Sequence, residues 1–314
     1  MALRILTRAG VFAGSLVVAS LLVFWVMTVL PGDPARVALG VNATPAAVET
    51  MRARFGLDRP LVVQYADWAG GLARGDLGVS YVSEAPIGPQ LADRLAVTAW
   101  LVGVGMLVAA VVAVPVGVVM AAWHRRPAGL ALSALTQLGV AVPAFLAGII
   151  AVTVFAVRLR WLPANGWTPP SVDPAMFARQ LVLPAVSLGA VQGAVLARYV
   201  RSAVLDVLRE DFLRTARAKG LTLWRALARH GLRNAAVPVV TVLGLQLATL
   251  LVGAVVIERV FVIPGVGSLL LDAVANRDLL VVGDVVMVLV VVVLTVNFLV
   301  DVLYLALDPR LRAP

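Results

Sequence analysis

Long runs without a charged side chain alternate with short polar stretches along the 314 residues of this chain. A bilayer core about 30 Å thick needs roughly 20 apolar residues in helical form. Six intervals meet that need, 9–32, 95–123, 127–157, 180–197, 234–257 and 285–307, and the last holds one interior charge, Asp301. The first begins just after Arg4 and Arg8, as the apolar part of a signal peptide would. Its length and the lack of a clear small-residue cleavage site favour a retained helix. The pattern predicts an all-α polytopic membrane protein with six transmembrane helices. Residues 1–32 are then an N-terminal segment with the first helix, 33–94 a polar insert, 95–307 the membrane core and 308–314 a tail.

The insert is too long for a hairpin turn and too short for a large independent domain. PGDP at 31–34, the corner from Asp58 to Pro60 and GDLGVS at 75–80 are turn-rich and predict a compact helix-and-loop structure. ATPAAVETMRARFG at 43–56 reads as a capped helix, with Thr44 at the N-cap, Pro45 at the first helical position and Gly56 at its end. A cap on the bundle and part of a receptor for an external partner are equally open readings. The longest strongly charged stretch between two apolar spans is 210–238. Leu205, Leu208 and Phe212 stand at helical spacing before Gly220, and Arg225, Arg229 and Arg233 form an i, i+4 stripe after it. The expectation is helix, glycine break, helix. Such a segment suits a docked protein or, alternatively, anionic lipid headgroups.

Composition narrows the class. With 61% hydrophobic residues, 14% charged and a mean hydropathy of +0.97, the chain departs from soluble domains, in which about 25% of residues are charged. A net charge of +9 would suit nucleic acid, but basic residues in a membrane chain record topology first. With the N-terminus inside, the inner loops carry 15 basic and four acidic residues and the outer ones 11 and 12. Both termini and the loop 203–233 are therefore expected in the cytoplasm, with the insert and the loop 258–284 outside. Membrane lipid is an expected partner and nucleic acid is not. The absence of cysteine excludes disulfides and thiolate chemistry. Lys219, the single lysine, lacks the Gly-Lys-Ser/Thr context of a phosphate loop. His124 and His230 are separated by two predicted helices and have no ligand cluster or nucleophile beside them. No catalytic, cofactor or metal site is expected in this chain.

Within the spans, Pro115, Pro143 and Pro184 predict kinks that neighbouring helices satisfy. Gly103, Gly105, Gly117, Gly139, Gly148, Gly189 and Gly193 predict close helix packing. Gln137, Gln192, Thr241, Gln246 and Asn297 are candidates to line a path, although an interhelical hydrogen bond explains each nearly as well. Asp301 is a functional candidate by default, since a carboxylate inside a span costs about 2.5 to 3.5 kcal/mol on insertion scales. It lies about two turns from the inner end with Tyr304, Asp308 and Arg310 nearby, which favours a structural contact over a proton relay.

DFLRTARAKGL at 211–221, followed by RHGLRNAAVPVVT at 229–241, resembles the cytoplasmic EAA loop of permease subunits in bacterial ABC importers of the dipeptide, oligopeptide and nickel group. LPGDPA at 30–35, FGLDRPLVVQY at 55–65, GDLGVS at 75–80, VIERVFVIPGVGSLL at 256–270 and DVLYLALDPRLR at 301–312 resemble that group's B-type permeases in order and spacing. Arg214 and Thr215 stand where the general loop pattern has Glu and Ala, and Pro238 comes farther downstream; the peptide-type subgroup is similar in both respects. The resemblance implies a second, homologous permease chain, two cytoplasmic ATPase subunits that bind ATP and magnesium, and an extracytoplasmic substrate-binding protein. It implies a coupling element made of Asp211, Phe212, Arg214, Thr215, Ala216, Arg217, Lys219, Gly220 and Leu221. The implied function is one half of the pathway of an ATP-driven importer of short peptides in the bacterial inner membrane. Nickel chelates, glutathione or another small solute are the alternative cargo. An ion-gradient-driven secondary transporter would need functional intramembrane carboxylates and inverted repeats, and Asp301 is the one such carboxylate in a chain without a convincing repeat. A membrane scaffold without transport is the third class.

Overall fold

The computed structural model describes residues 2–29, 32–40 and 43–307. Leu30 and Pro31 at the first predicted boundary, and the tail with Asp308 and Arg310, lie outside the described residues, as does the side chain of Tyr304. The helices in chain order are α1 (Ala2–Val29), α2 (Pro34–Leu39), α3 (Pro45–Arg54), α4 (Leu61–Arg74), α5 (Ile87–Ala122), α6 (Pro127–Ala141), α7 (Ala144–Ala151), α8 (Pro174–Arg209), α9 (Asp211–Ala218), α10 (Leu223–Ala226), α11 (Leu232–Val260), α12 (Val266–Ala275) and α13 (Leu279–Leu307). A π-helical turn, Val152–Arg158, extends α7, and another, Leu227–Gly231, joins α10 to α11.

Among the described residues, five stretches are long and apolar enough to cross a membrane: Ile5–Val29, Ile87–Ala122, Pro174–Arg209, Pro238–Val260 and Leu279–Val302. The third interval, predicted as one span over 127–157, is a pair of helices bent by 97°. Pro143 explains the break. Its ring disfavours helical geometry in the residue before it, and Val142 is extended, with φ −84° and ψ 121°. Pro115 and Pro184, by contrast, sit inside unbroken helices. Charge-free runs also understate helix length: α8 continues through Arg198, Arg201 and Asp206 to Arg209.

The described residues form two compact units, one of Ala99–Ile263 with Leu299–Leu307, the other of Ala2–Thr98 with Pro264–Phe298. In the first, α8 packs against α6, α7 and α11, and 61% of its most apolar stretch is buried, against 6% for α1. That makes α8 the central strut. Its core cluster joins Ala113 and Met120 of α5 to Leu196 and Val204 of α8, Leu213 of α9, Leu227 and Ala235. Glycines let these helices meet: a Cβ at Gly117 would strike Val200 and the Ala197 carbonyl, and one at Gly193 would come 3.3 Å from the Ala109 carbonyl. Gly103 is different, with nothing within 4 Å.

In the second unit, Ile87 and Leu91 of α5 pack with Val266 and Leu269 of α12 and with Val281 and Val285 of α13. The insert is helical as expected. Thr44 caps α3 by accepting from the Ala47 amide at 3.3 Å, Pro45 opens the helix, and Gly56 follows it at φ +67°.

Candidate functional site

The charged loop differs in one respect from its predicted layout. The spacing of Leu205, Leu208 and Phe212 suggests one helix, but Glu210 adopts an extended conformation and divides it into α8 and α9. The Glu210 carbonyl restarts the helix by accepting from the Leu213 and Arg214 amides at 3.1 and 3.3 Å. α9 is strongly one-sided. Leu213 and Ala216 are buried, whereas Asp211, Phe212, Arg214, Thr215, Arg217, Lys219 and Gly220 are exposed and Leu221 is half-buried. Leu213 lies against the same spot as Val207 of α8: both come within 4 Å of a Cβ built at Gly231, in the π turn that leads to α11.

The turn after α9 is a Schellman closure. The Gly220 amide donates to the Arg217 carbonyl at 3.0 Å and the Leu221 amide to the Ala216 carbonyl at 3.3 Å, the pair of bonds that satisfies the last carbonyls of a helix. Gly220 has φ +91°, a conformation that glycine adopts without steric penalty. Thr222 then caps α10, its hydroxyl accepting from the Arg225 amide at 3.4 Å. Beyond it Arg225, Arg229 and Arg233 are exposed, and Ala226 and Leu227 are buried. The outcome is a closed, charged knuckle whose exposed side chains include Asp211, Arg214, Arg217 and Lys219, with Arg214 reaching back to Asp211 at 3.4 Å.

The path candidates are dispersed. Gln137 on α6 is exposed, and Gln192 on α8 and Thr241 on α11 are half-buried. Gln246 on α11 is buried, and neither its amide nitrogen nor its oxygen has a hydrogen-bond partner. In the other unit, the half-buried Asn297 has a buried Oδ1 without a partner. Asp301 is half-buried and engaged with a neighbour.

Sequence reasoning overlooked a buried polar junction in the second unit. Trp68 Nε1 donates to Asp284 Oδ1 at 2.8 Å. The Ser80 hydroxyl donates to Asp278 Oδ2, and the Tyr81 amide donates to Asp278 Oδ1 at 3.4 Å. Asp284 is fully buried, and its Oδ2 has no partner. The Tyr81 hydroxyl is held above its ordinary pKa, by burial first and then by the carboxylates of Asp284 and Asp278, so it stays a neutral donor. GDLGVS and Asp284 were both visible in the sequence, but as turn signals and a span boundary. Nothing local shows that they meet.

Residues 113–313 match the family described as the binding-protein-dependent transport system inner membrane component, and residues 2–102 match its N-terminal family. The chain belongs to this family of ABC importer permeases. Similar proteins include the glutathione transport system permease protein GsiC of Escherichia coli O6:H1 strain CFT073, 39% identical over 302 residues that cover 95% of each chain. The same protein from Escherichia coli strain K12 and from Shigella dysenteriae serotype 1 matches with the same identity and coverage. The permease is thus a multi-pass inner-membrane subunit of an importer that works with ATPase subunits and a binding protein.

Proposed function

We propose that this permease imports short peptides, glutathione among them, through a pathway shared with a second, homologous permease chain. The observation that carries the cargo reading is the 39% identity, across 95% of both chains, to proteins named for glutathione transport. We further assign α9 and the Gly220 turn as the surface that receives the ATPase, with both termini on the cytoplasmic side and the insert outside. Exposed Asp211, Arg214, Arg217 and Lys219 supply the docking chemistry. Leu213 supplies the mechanical link, because it is seated between the end of α8 and the turn that starts α11. Displacing α9 then displaces the ends of two spans together. Closure of the ATPase pair on bound ATP and magnesium would favour one of two permease states through such differential contact. Gln246 is the best-supported path residue: a buried carboxamide with donor and acceptor both unmet suits a solute that carries amide groups.

The deciding experiment reconstitutes the permease with its neighbouring gene products in vesicles and follows labelled glutathione and dipeptides. Uptake that needs ATP and resists ionophores supports the reading. Uptake of a nickel chelate with no peptide transport would overturn the cargo, and full transport by this polypeptide alone would overturn the partner assignment.

A further inference from the structure

The second unit holds a cavity of about 590 Å³ at one end of α1, walled by that helix, the insert helices and the start of α13. Nothing in the transport reading uses it. Its floor is made by Phe24 and Met27 from the last turns of α1, with Leu279 and Leu280. α1 is a membrane span, so this floor stands at the level where hydrocarbon gives way to headgroups. Its aromatic walls are ordered: Phe55 stacks on Tyr81 with ring centroids 4.2 Å apart, and Trp68 lies beside Phe24 at 6.0 Å. The charged part of the lining is balanced in sign, Arg52, Arg59 and Arg74 against Asp33, Asp67 and Asp76.

We infer that the cavity binds one phospholipid whose headgroup carries both a phosphate and a primary ammonium group. Four features meet in that ligand. An apolar floor continuous with a span accepts the upper part of an acyl chain. Guanidinium groups hold a phosphate through charge-assisted hydrogen bonds. Carboxylates and aromatic faces hold an ammonium. An equal number of each charge disfavours a purely anionic headgroup, which would meet as many carboxylates as guanidiniums. The volume falls in the ordinary range for small-molecule sites and takes a headgroup with the adjoining chain segment, not a whole lipid. Arg59 and Arg52 are already oriented, by Asp67 at 2.7 Å and Asp33 at 3.3 Å. Trp68, pinned by Asp284, holds the wall. The site therefore ties the insert to the bilayer surface, independently of which solute is carried.

The test uses the whole transporter, purified from nanodiscs of phosphatidylethanolamine and phosphatidylglycerol and weighed by native mass spectrometry after stepwise detergent washing. Wild type should retain one phosphatidylethanolamine per copy of this chain. Thr28→Phe fills the cavity and loses only a bond to the Phe24 carbonyl within its own helix; Arg52→Gln removes a half-exposed charge. Each should lower retention at least threefold while the subunits stay assembled. Equal retention in all three proteins would overturn the inference. So would preference for phosphatidylglycerol, displacement of the lipid by millimolar dipeptide, which would mark a cargo site, or a cavity filled by the second permease in a structure of the complex. Glutathione uptake by wild type is read separately, so failure of the cargo reading stays distinguishable.

Discussion

The knuckle at α9 and the junction beneath the insert are both places where a polar segment is fixed to membrane helices, and they are fixed by opposite means. α9 rests on two apolar side chains, Leu213 and Ala216, with its charges facing water and its end closed by backbone bonds. The insert is held by buried polar groups, Trp68 on Asp284 and Ser80 with the Tyr81 amide on Asp278. Apolar contact is non-directional and tolerates small shifts, which suits a lever. Buried hydrogen bonds demand one geometry, since an unmade one leaves a desolvated group without a partner. The same chain therefore builds a movable seat at one site and a fixed register at another.

The comparison is tested hardest by Trp68→Phe, which leaves the buried Asp284 with no donor and should destabilise the purified transporter by about 3 kcal/mol. Thermal unfolding would show it, and Asp284→Asn, which keeps an acceptor, should lose much less. A small loss in Trp68→Phe would mean that the insert is held by its apolar contacts after all. Leu213→Ala comes next, at about 2 kcal/mol, the low end for a buried leucine because a short surface helix can settle into the gap. Its signature is local: faster protease cleavage within 209–222 and loss of the ATPase response to loaded binding protein, with the remainder of the transporter intact. Gly220→Val follows, at about 1 to 2 kcal/mol from the left-handed backbone it must adopt. No neighbour lies within 4 Å of a Cβ there, so the effect is conformational, and Gly220→Asn should restore most of the coupling. Membrane insertion stays normal in both, and unimpaired uptake by the Val variant would refute the docking assignment. The smallest change in stability is Arg214→Ala, under about 0.5 kcal/mol for an exposed pair. Its effect should appear instead as weaker, salt-sensitive association with the ATPase.

Legibility followed the range of the forces involved. The cap at Thr44, the glycine turn at 220 and the apolar spans were readable because each depends on neighbours within a few residues or on a run matched to bilayer thickness. The break at Glu210 was not, since the apolar spacing runs through it. Asp284 reads in sequence as a span boundary, because its partner, Trp68, is 216 positions away. Asp301 stands out in sequence by its place in a span. The path candidates with polar atoms left unmet, Gln246 and Asn297, become distinguishable from the other path candidates only when their surroundings are known.

The sequence by itself determined that this is a helical membrane chain, which segments span, where its charged knuckle turns and which family it resembles, because hydropathy, caps and left-handed glycines act locally. Tertiary structure alone decided that the third span bends by 97° at Pro143, that Leu213 is the seat of α9, that Asp278 and Asp284 hold the insert, and that a charged, aromatic cavity opens at the end of α1. Those features arise from groups distant in the chain, and their energy exists only once the fold has removed water from between them.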